Sequence, residues 1–447
     1  MTSEGFQEQS PSTGEPFRVA IIGGGICGLY AALSLHYHCV TASSTPVSIT
    51  VYEQALEYRE IGAGIGIGLN AAKLLHQIGL YQKAAAISAK RIEGLWLSFR
   101  RYDTGAVIVN VPTAGDTPEL GGLSVARSEF LDVLKNAIIE RGAAKLETNK
   151  KCEKVWEEGD KVKVQFQDGT IATANLLIGG DGIHSAVRAH FAEDKPQYSE
   201  RVAYRALVPI DKLPQTWTDE VYIADWLSKG NQFLTFPISC NKILNIVAFV
   251  QTPLEKVGNL QESWTSVSDR SECENDFEEF NDVVQKIVAL MPAKPSKWAL
   301  HDRVPLDQWI FLEGKVALAG DACHAMLPHQ SAGGGQAIED GHVLGKVLQG
   351  YLSERQAEYK GREKIKRLEQ WMKLYQNVRL PRAQRIQRSS RETGELYEMS
   401  SPGMKDKSYN ECCGILHQKM QNRMNSIWTE DIGDAYNRAK KELFESS

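Results

Sequence analysis

The chain is 447 residues long, 42% hydrophobic and 24% charged, enough for two or three domains with substantial cores and ordinary for a globular protein. A formal net charge of −5, with no dense basic stretch interleaved with aromatics, argues against nucleic acid as a partner. No apolar run approaches the ~20 residues that cross a bilayer, so no membrane partner is expected either.

Residues 1–16 are polar and read as a disordered tail, lacking the basic start and apolar centre of a signal peptide. The eight cysteines show no Cys-x-x-Cys spacing, which points to a reduced, cytoplasmic protein without a bound metal. From Phe17 an apolar run leads straight into Gly23, Gly25 and Gly28, the Gly-x-Gly-x-x-Gly turn between a buried parallel strand and a helix. Gly23 allows the turn, Gly25 lets backbone approach a pyrophosphate, and Gly28 lets helix and strand pack. The helix start then offers free N–H groups and partial positive charge to phosphates. A second strand, from Val47, ends on Glu53, a carboxylate placed for the ribose of an adenosine. Together these predict a dinucleotide site.

The stretch from Tyr58 to Asn70 is rich in glycine without a preceding strand. It reads as a loop whose backbone approaches something flat, with Arg59 as a nearby cation. Asn70 is the expected cap of a helix over 71–79. Two strands follow around Asp103-Thr104-Gly105, and Arg127 stands at the mouth of a further helix. Residues 151–175 predict a β-meander, and the next strand ends in Gly179-Gly-Asp181-Gly. A strand near Val316 ends likewise in Gly320-Asp321. Aspartates at the carboxyl ends of parallel strands lie where open α/β sheets bind ligands.

Residues 201–298 have a different texture, alternating strands followed by an acidic helical stretch over 271–290. They predict a largely antiparallel sheet inserted into the nucleotide domain. From about Gln336 onward the pattern is helical and charged, with Pro381 expected to interrupt one helix.

These three glycine-acid stretches, in this order, give the chain its likeness: it resembles the single-component FAD-dependent aromatic hydroxylases over residues 17–390, most closely the salicylate hydroxylases and their fungal relatives. Further likeness lies in Arg59-Glu-Ile-Gly-Ala-Gly64, Tyr204-Arg205, Thr235-Phe-Pro237 and Pro328-His329-Gln330. The resemblance implies an α/β fold: a Rossmann-type FAD-binding domain over 17–200 and 299–360, a substrate domain over 201–298, and a helical region over 361–447. It implies that Gly23, Gly25, Gly28 and Glu53 hold the ADP half of FAD. Arg59 and Arg127 would meet its phosphate and ribityl side, Asp181 the pyrophosphate region, and Asp321 the ribityl hydroxyls. The loop from Pro328, with Gly333, Gly334 and Gly335, would lie against the isoalloxazine. NADH or NADPH would bind transiently and reduce the flavin. Oxygen would add to it as a C4a-hydroperoxide, and the distal oxygen atom would attack a phenolic ring.

A phenol needs a proton acceptor poised near neutral pH, for which His329 is the candidate. An aromatic carboxylate needs a cation, for which Arg205 is the candidate, against a plain surface ion pair. Phe233, Phe236 and Phe249 either wall an aromatic pocket or are plain core. Phe236 stands where some relatives that dearomatise resorcinols carry tyrosine, which lowers the weight of that chemistry here. The reaction expected is salicylate to catechol with loss of CO₂. Hydroxylation of another phenol or a fungal polyketide is the alternative, as is an FAD oxidase without oxygen insertion. The expected partner is a small aromatic substrate, and the protein is expected as a monomer or homodimer.

Overall fold

The strand Phe17–Ile22 is buried at five of its six positions and lies inside a parallel sheet. The structure, a computed structural model, describes residues 15–39, 46–58, 63–90, 92–214, 223–257, 267–354 and 360–445. Strand order in this sheet is Ile310–Phe311, Val316–Leu318, Leu176–Gly179, Phe17–Ile22, Val47–Tyr52, Lys145–Glu147. Only the first pair is antiparallel. The chain leaves Phe17–Ile22 for one side of the sheet and returns on the other, so the crevice at this switch point opens above the strands' carboxyl ends. Gly23, Glu53, Asp181 and Asp321 all follow such ends.

Two glycines are dictated by this geometry. Gly23 has φ +104°, and a Cβ there would lie 2.4 Å from the Gly180 carbonyl oxygen. A Cβ on Gly28 would lie 1.9 Å from the Gly23 oxygen, so no other residue lets the helix Ile26–Cys39 start so close to its strand. The meander predicted over 151–175 forms a separate three-stranded sheet, Cys152–Glu158, Lys161–Phe166 and Ile171–Ala174.

The second large sheet has seven strands, ordered Ser296–Asp302, Gln197–Pro209, Ile243–Gln251, Asn231–Ile238, Ala224–Leu227, Leu97–Arg101, Val107–Val111. Every pairing is antiparallel except that of Ala224–Leu227 with Leu97–Arg101. The hairpin Leu97–Val111, which the sequence reading placed with the first domain, therefore completes the second sheet. Local alternation marks a hairpin as strand but cannot say which sheet its edge will join. The acidic helical stretch expected over 271–290 forms two helices, Arg270–Asp276 and Asp282–Leu290, between the strands Ile243–Gln251 and Ser296–Asp302.

Two further expectations fail locally. The helix after the glycine-rich loop runs Leu69–Gln77 and begins from Gly68, with Asn70 inside it. Asn70 does not cap; its amide donates to Glu339 at 2.6 Å. Pro381 lies within an unbroken helix, Arg362–Tyr397. A proline inside a helix removes a backbone bond and normally kinks it. Here the guanidiniums of Arg379 and Arg382, either side of the proline, are anchored to Glu339 and Asp340 of the helix Gly333–Ser353.

Candidate active site

A cavity of about 710 Å³ runs from the glycine turn, over the carboxyl ends of the parallel sheet, to the face of the seven-stranded sheet. At one end Glu53 accepts the N–H of Gly24 at 2.6 Å and that of Ala55 at 2.8 Å, so its carboxylate is fixed beside the turn. Midway, Asp181 accepts the Ser185 hydroxyl at 2.5 Å and the Val187 N–H at 3.1 Å, an arrangement that starts the short helix Ala186–Ala189. Burial raises the Asp181 pKa, and those hydrogen bonds only partly oppose the shift.

Asp321 stands on the cavity floor, open toward the cavity and enclosed by protein on its other sides. Burial raises its pKa, with His324 and Arg127 working against the shift and Asp340 with it. Arg127 lines the same wall; burial lowers its pKa against the pull of Asp321 and Glu53. Bare backbone forms the rest of the floor. A Cβ on Gly25 would meet only the Arg127 guanidinium, at 3.9 Å, and Gly333 and Gly334 are as open. Two of the three loop glycines therefore face the cavity from the start of the helix Gly333–Ser353. Gly335 turns away, toward Asn70 and Ala71, and Gly28 is spent on helix packing. Arg59 falls outside the described residues.

The seven-stranded sheet supplies the other wall, in rows set by strand register. Arg205 lies opposite Val247, Val247 opposite Leu234, Leu234 opposite Asp225, and Asp225 opposite Phe99. Neighbouring strands lie about 4.8 Å apart, so some 14 Å of sheet separates the backbones of Arg205 and Asp225. Asn245 and Phe236 share the row on one side of this one, and Phe249 and Gln232 the row on the other. Phe236 and Phe249 face the cavity, whereas Phe233 has opposite parity and packs under the sheet against Trp226 and Phe277. The glycine-rich loop closes this roof: Gly64 donates to the Asn245 Oδ1 at 2.8 Å, and a Cβ there would strike the Phe236 ring at 2.6 Å. What its backbone approaches is therefore Phe236 as well as the cavity.

Arg205 stacks on Trp298, with its guanidinium carbon 4.2 Å from the ring centre, and has no hydrogen bond or ion pair among the described residues. Burial, and then Arg127, bring its pKa from 12.5 down to about 9, which still leaves it charged at neutral pH. Among the described residues it forms no ion pair, surface or otherwise. His329 lies beyond the main cavity, in a small inner chamber that shares Phe236, Phe249, Leu234 and Pro328 with it. It is 7% exposed, packed beneath Gly394 and beside Phe249, and neither ring nitrogen has a partner among the described residues. Burial, and then the charge of Arg201, push its pKa down to about 3. The expectation of a base poised near neutrality is thus corrected: the imidazole is neutral but weakly basic, because nothing anionic offsets its desolvation.

The sequence reading missed what stands behind Asp321. Asp340 accepts the Gly320 N–H at 2.7 Å, binds His324 Nε2 at 2.7 Å and pairs with Arg379 at 2.8 Å. Glu339 pairs with Arg379 at 2.5 Å and with Arg382 at 2.8 Å. Burial works to raise both carboxyl pKa values, and the neighbouring cations outweigh it. Cys323 lies in the same cluster, but this is a filled ion-pair network and not a metal centre, since Asp340 already serves Arg379 and His324. The one sequence signal was two adjacent acids, Glu339 and Asp340, in the helix Gly333–Ser353.

The donors along the main cavity suit an elongated dinucleotide, with a carboxylate for a ribose at one end, helix-start N–H groups and Arg127 for phosphates, and Asp321 beside bare backbone for a flat ring system. Residues 17–390 match the family model described as FAD binding domain. The chain belongs to this family, the FAD-dependent aromatic monooxygenases. It is 32% identical over 445 residues to a salicylate hydroxylase of Pseudomonas putida, with 95% of each chain covered. It is 30% identical over 447 residues to the 6-methylsalicylate 1-monooxygenase of Aspergillus terreus, covering 95% of this chain and 92% of that one. A solved salicylate hydroxylase substrate complex superposes with a TM-score of 0.77 at 28% identity, covering 95% and 98% of the two chains. Among the described residues of this monooxygenase no helix is long and apolar enough to cross a membrane.

Proposed function

We propose that this monooxygenase hydroxylates a phenolic aromatic acid, with 2-hydroxybenzoate to catechol and CO₂ as the parent reaction. NADH or NADPH serves as electron donor and O₂ as co-substrate. The carrying observation is Arg205, a half-buried cation without an anionic partner among the described residues, on a wall of the cavity that Asp321 and the open glycines also line. A guanidinium held this way is matched by a carboxylate, bound through two parallel hydrogen bonds. The likeness to enzymes named for salicylate and 6-methylsalicylate supports the same substrate class.

FAD, reduced in place, would supply an activated oxygen atom beside the cavity floor. The chain's own residues would do the rest. Arg205 anchors the carboxylate, and Phe236 and Phe249 hold the ring flat and exclude water. His329, kept neutral, accepts a hydrogen bond from the phenol and orients it without first taking its proton. The test is donor oxidation across monohydroxybenzoates with product identification. Catechol and CO₂ from salicylate, matched to donor consumed, support the reading. Donor oxidation that yields only hydrogen peroxide with every phenol would favour an oxidase and overturn it.

A further inference from the structure

The inner chamber beyond Phe236 holds about 60 Å³. A single water needs about 10–15 Å³ of such space, so the chamber takes a substituent of a few atoms and not a second ring. Its walls are mostly apolar, including Trp96, Phe99, Tyr397 and Met424. Into this setting the strands bring Asp225, 0% exposed, and Gln232, 1% exposed. The Gln232 amide donates to Asp225 Oδ2 at 2.7 Å. Asp225 Oδ1 and Gln232 Oε1 have no partner among the described residues. Buried polar atoms are nearly always paired, so two orphan oxygens on a hydrogen-bonded pair that lines a chamber adjoining the main cavity call for a ligand group.

We propose that Asp225 and Gln232 select the substrate, by binding a second, neutral polar substituent on the phenolic ring that both donates and accepts a hydrogen bond. A hydroxyl, a hydroxymethyl or a primary carboxamide meets this description. The inference rests on the proposed hydroxylation of a phenolic acid and narrows its substrate.

The chemistry follows from the pair. No lysine or arginine lines the chamber among the described residues, and its only histidine, His329, is held neutral. An isolated carboxylate here would be unsupported, and burial raises the Asp225 pKa well above its ordinary value against the single Gln232 hydrogen bond. Asp225 therefore carries a proton. With that proton on Oδ1, the pair shows the chamber one O–H donor and one carbonyl acceptor. Turning the Gln232 amide over exchanges which residue gives and which receives, but a donor and an acceptor remain. A hydroxyl satisfies both; a methyl of the same size satisfies neither and leaves both atoms stranded.

The experiment uses the FAD-loaded enzyme at pH 7 with 2-hydroxybenzoates carrying one further group at each open ring position, as hydroxyl, methyl and aminomethyl. Expected at one ring position is a kcat/KM roughly 10- to 100-fold higher for hydroxyl than for methyl. Asp225→Leu and, independently, Gln232→Leu should abolish that preference while retaining FAD, and Asp225→Asn should keep much of it. Equal kcat/KM for hydroxyl and methyl at all positions overturns the proposal, as does a preference that survives both leucine variants. Preference for aminomethyl would show an ionised Asp225 and also overturn it. In these cases the phenols are still hydroxylated, so the parent reading stands. If no member of the series is hydroxylated, the parent reading itself falls and takes this one with it.

Discussion

Two buried polar regions lie close together in this protein and are wired in opposite ways. Behind the cavity floor, Glu339, Asp340, Arg379 and Arg382 are each held by at least two partners. On the sheet wall Arg205, Asp225 and Gln232, and in the loop beside it His329, carry side-chain atoms without any among the described residues. Both regions are largely out of water, with Arg205 half-buried, so both bear a desolvation cost. In the first the chain itself offsets that cost, and in the second it is left for a bound molecule to offset. The paired acids and arginines are therefore expected to hold the fold, while the unpaired group would recognise something the chain does not contain.

The largest effect expected from this contrast is on stability. Arg379→Leu strips Glu339 and Asp340 of a shared cation deep in the protein and should cost about 3–5 kcal/mol. Chemical denaturation of FAD-free protein would show it; a loss under 1 kcal/mol would mean the network is not structural.

Arg205→Leu should behave in the opposite way, leaving stability unchanged or raised because an unpaired, half-buried charge is removed. Binding of carboxylated phenols should weaken by about 1.5–3 kcal/mol, with uncharged phenols little affected. Equal losses for benzoates and simple phenols would remove the carboxylate contact and leave only the stacking on Trp298.

Asp321→Ala tests the boundary between the two regions, since Asp321 faces the cavity while its neighbour Gly320 is tied to Asp340. FAD affinity should fall by about 1–3 kcal/mol with the unfolding midpoint of the FAD-free protein hardly changed. Full flavin content with an unaltered dissociation constant would refute the assignment.

The smallest effect is a pH dependence. Burial, with help from nearby charges, lowers His38 to about 4 and His342 to about 3. Such a histidine binds fewer protons folded than unfolded below about 6.5, so its stability contribution is present at neutral pH and lost as pH falls. Glu398, pushed up to about 7 mainly by burial, acts oppositely, losing its contribution as pH rises through 7. Both enzymes carry Glu398, so the comparison cancels it. Between pH 6.5 and 4, His342→Phe should therefore lose less stability than the parent protein, by up to about 1.4 kcal/mol per pH unit. Parallel thermal-unfolding curves would show that His342 does not titrate on unfolding.

The sequence by itself determined the parallel sheet and its ligand edge. A glycine at a left-handed turn, a strand ending in Glu53 and aspartates following two further strands are local demands, each legible within about a dozen residues. Period-two alternation likewise determined that an antiparallel sheet lies between them. It did not determine which face of that sheet looks inward, and so could not separate Phe236 from Phe233, or raise Asp225 and Gln232 above ordinary strand residues. Nor could it show that Pro381 is carried within one unbroken helix, because the arginines beside it find their acids about 40 residues earlier in the chain. The tertiary structure decided these points, since pairing register, burial and the presence or lack of a partner are relations between distant segments. His329 shows both halves at once. Its place just before Gly333 and Gly334 is written in Pro328-His329-Gln330, but its weak basicity arises from Gly394, Phe249 and Arg201, which only folding brings to it.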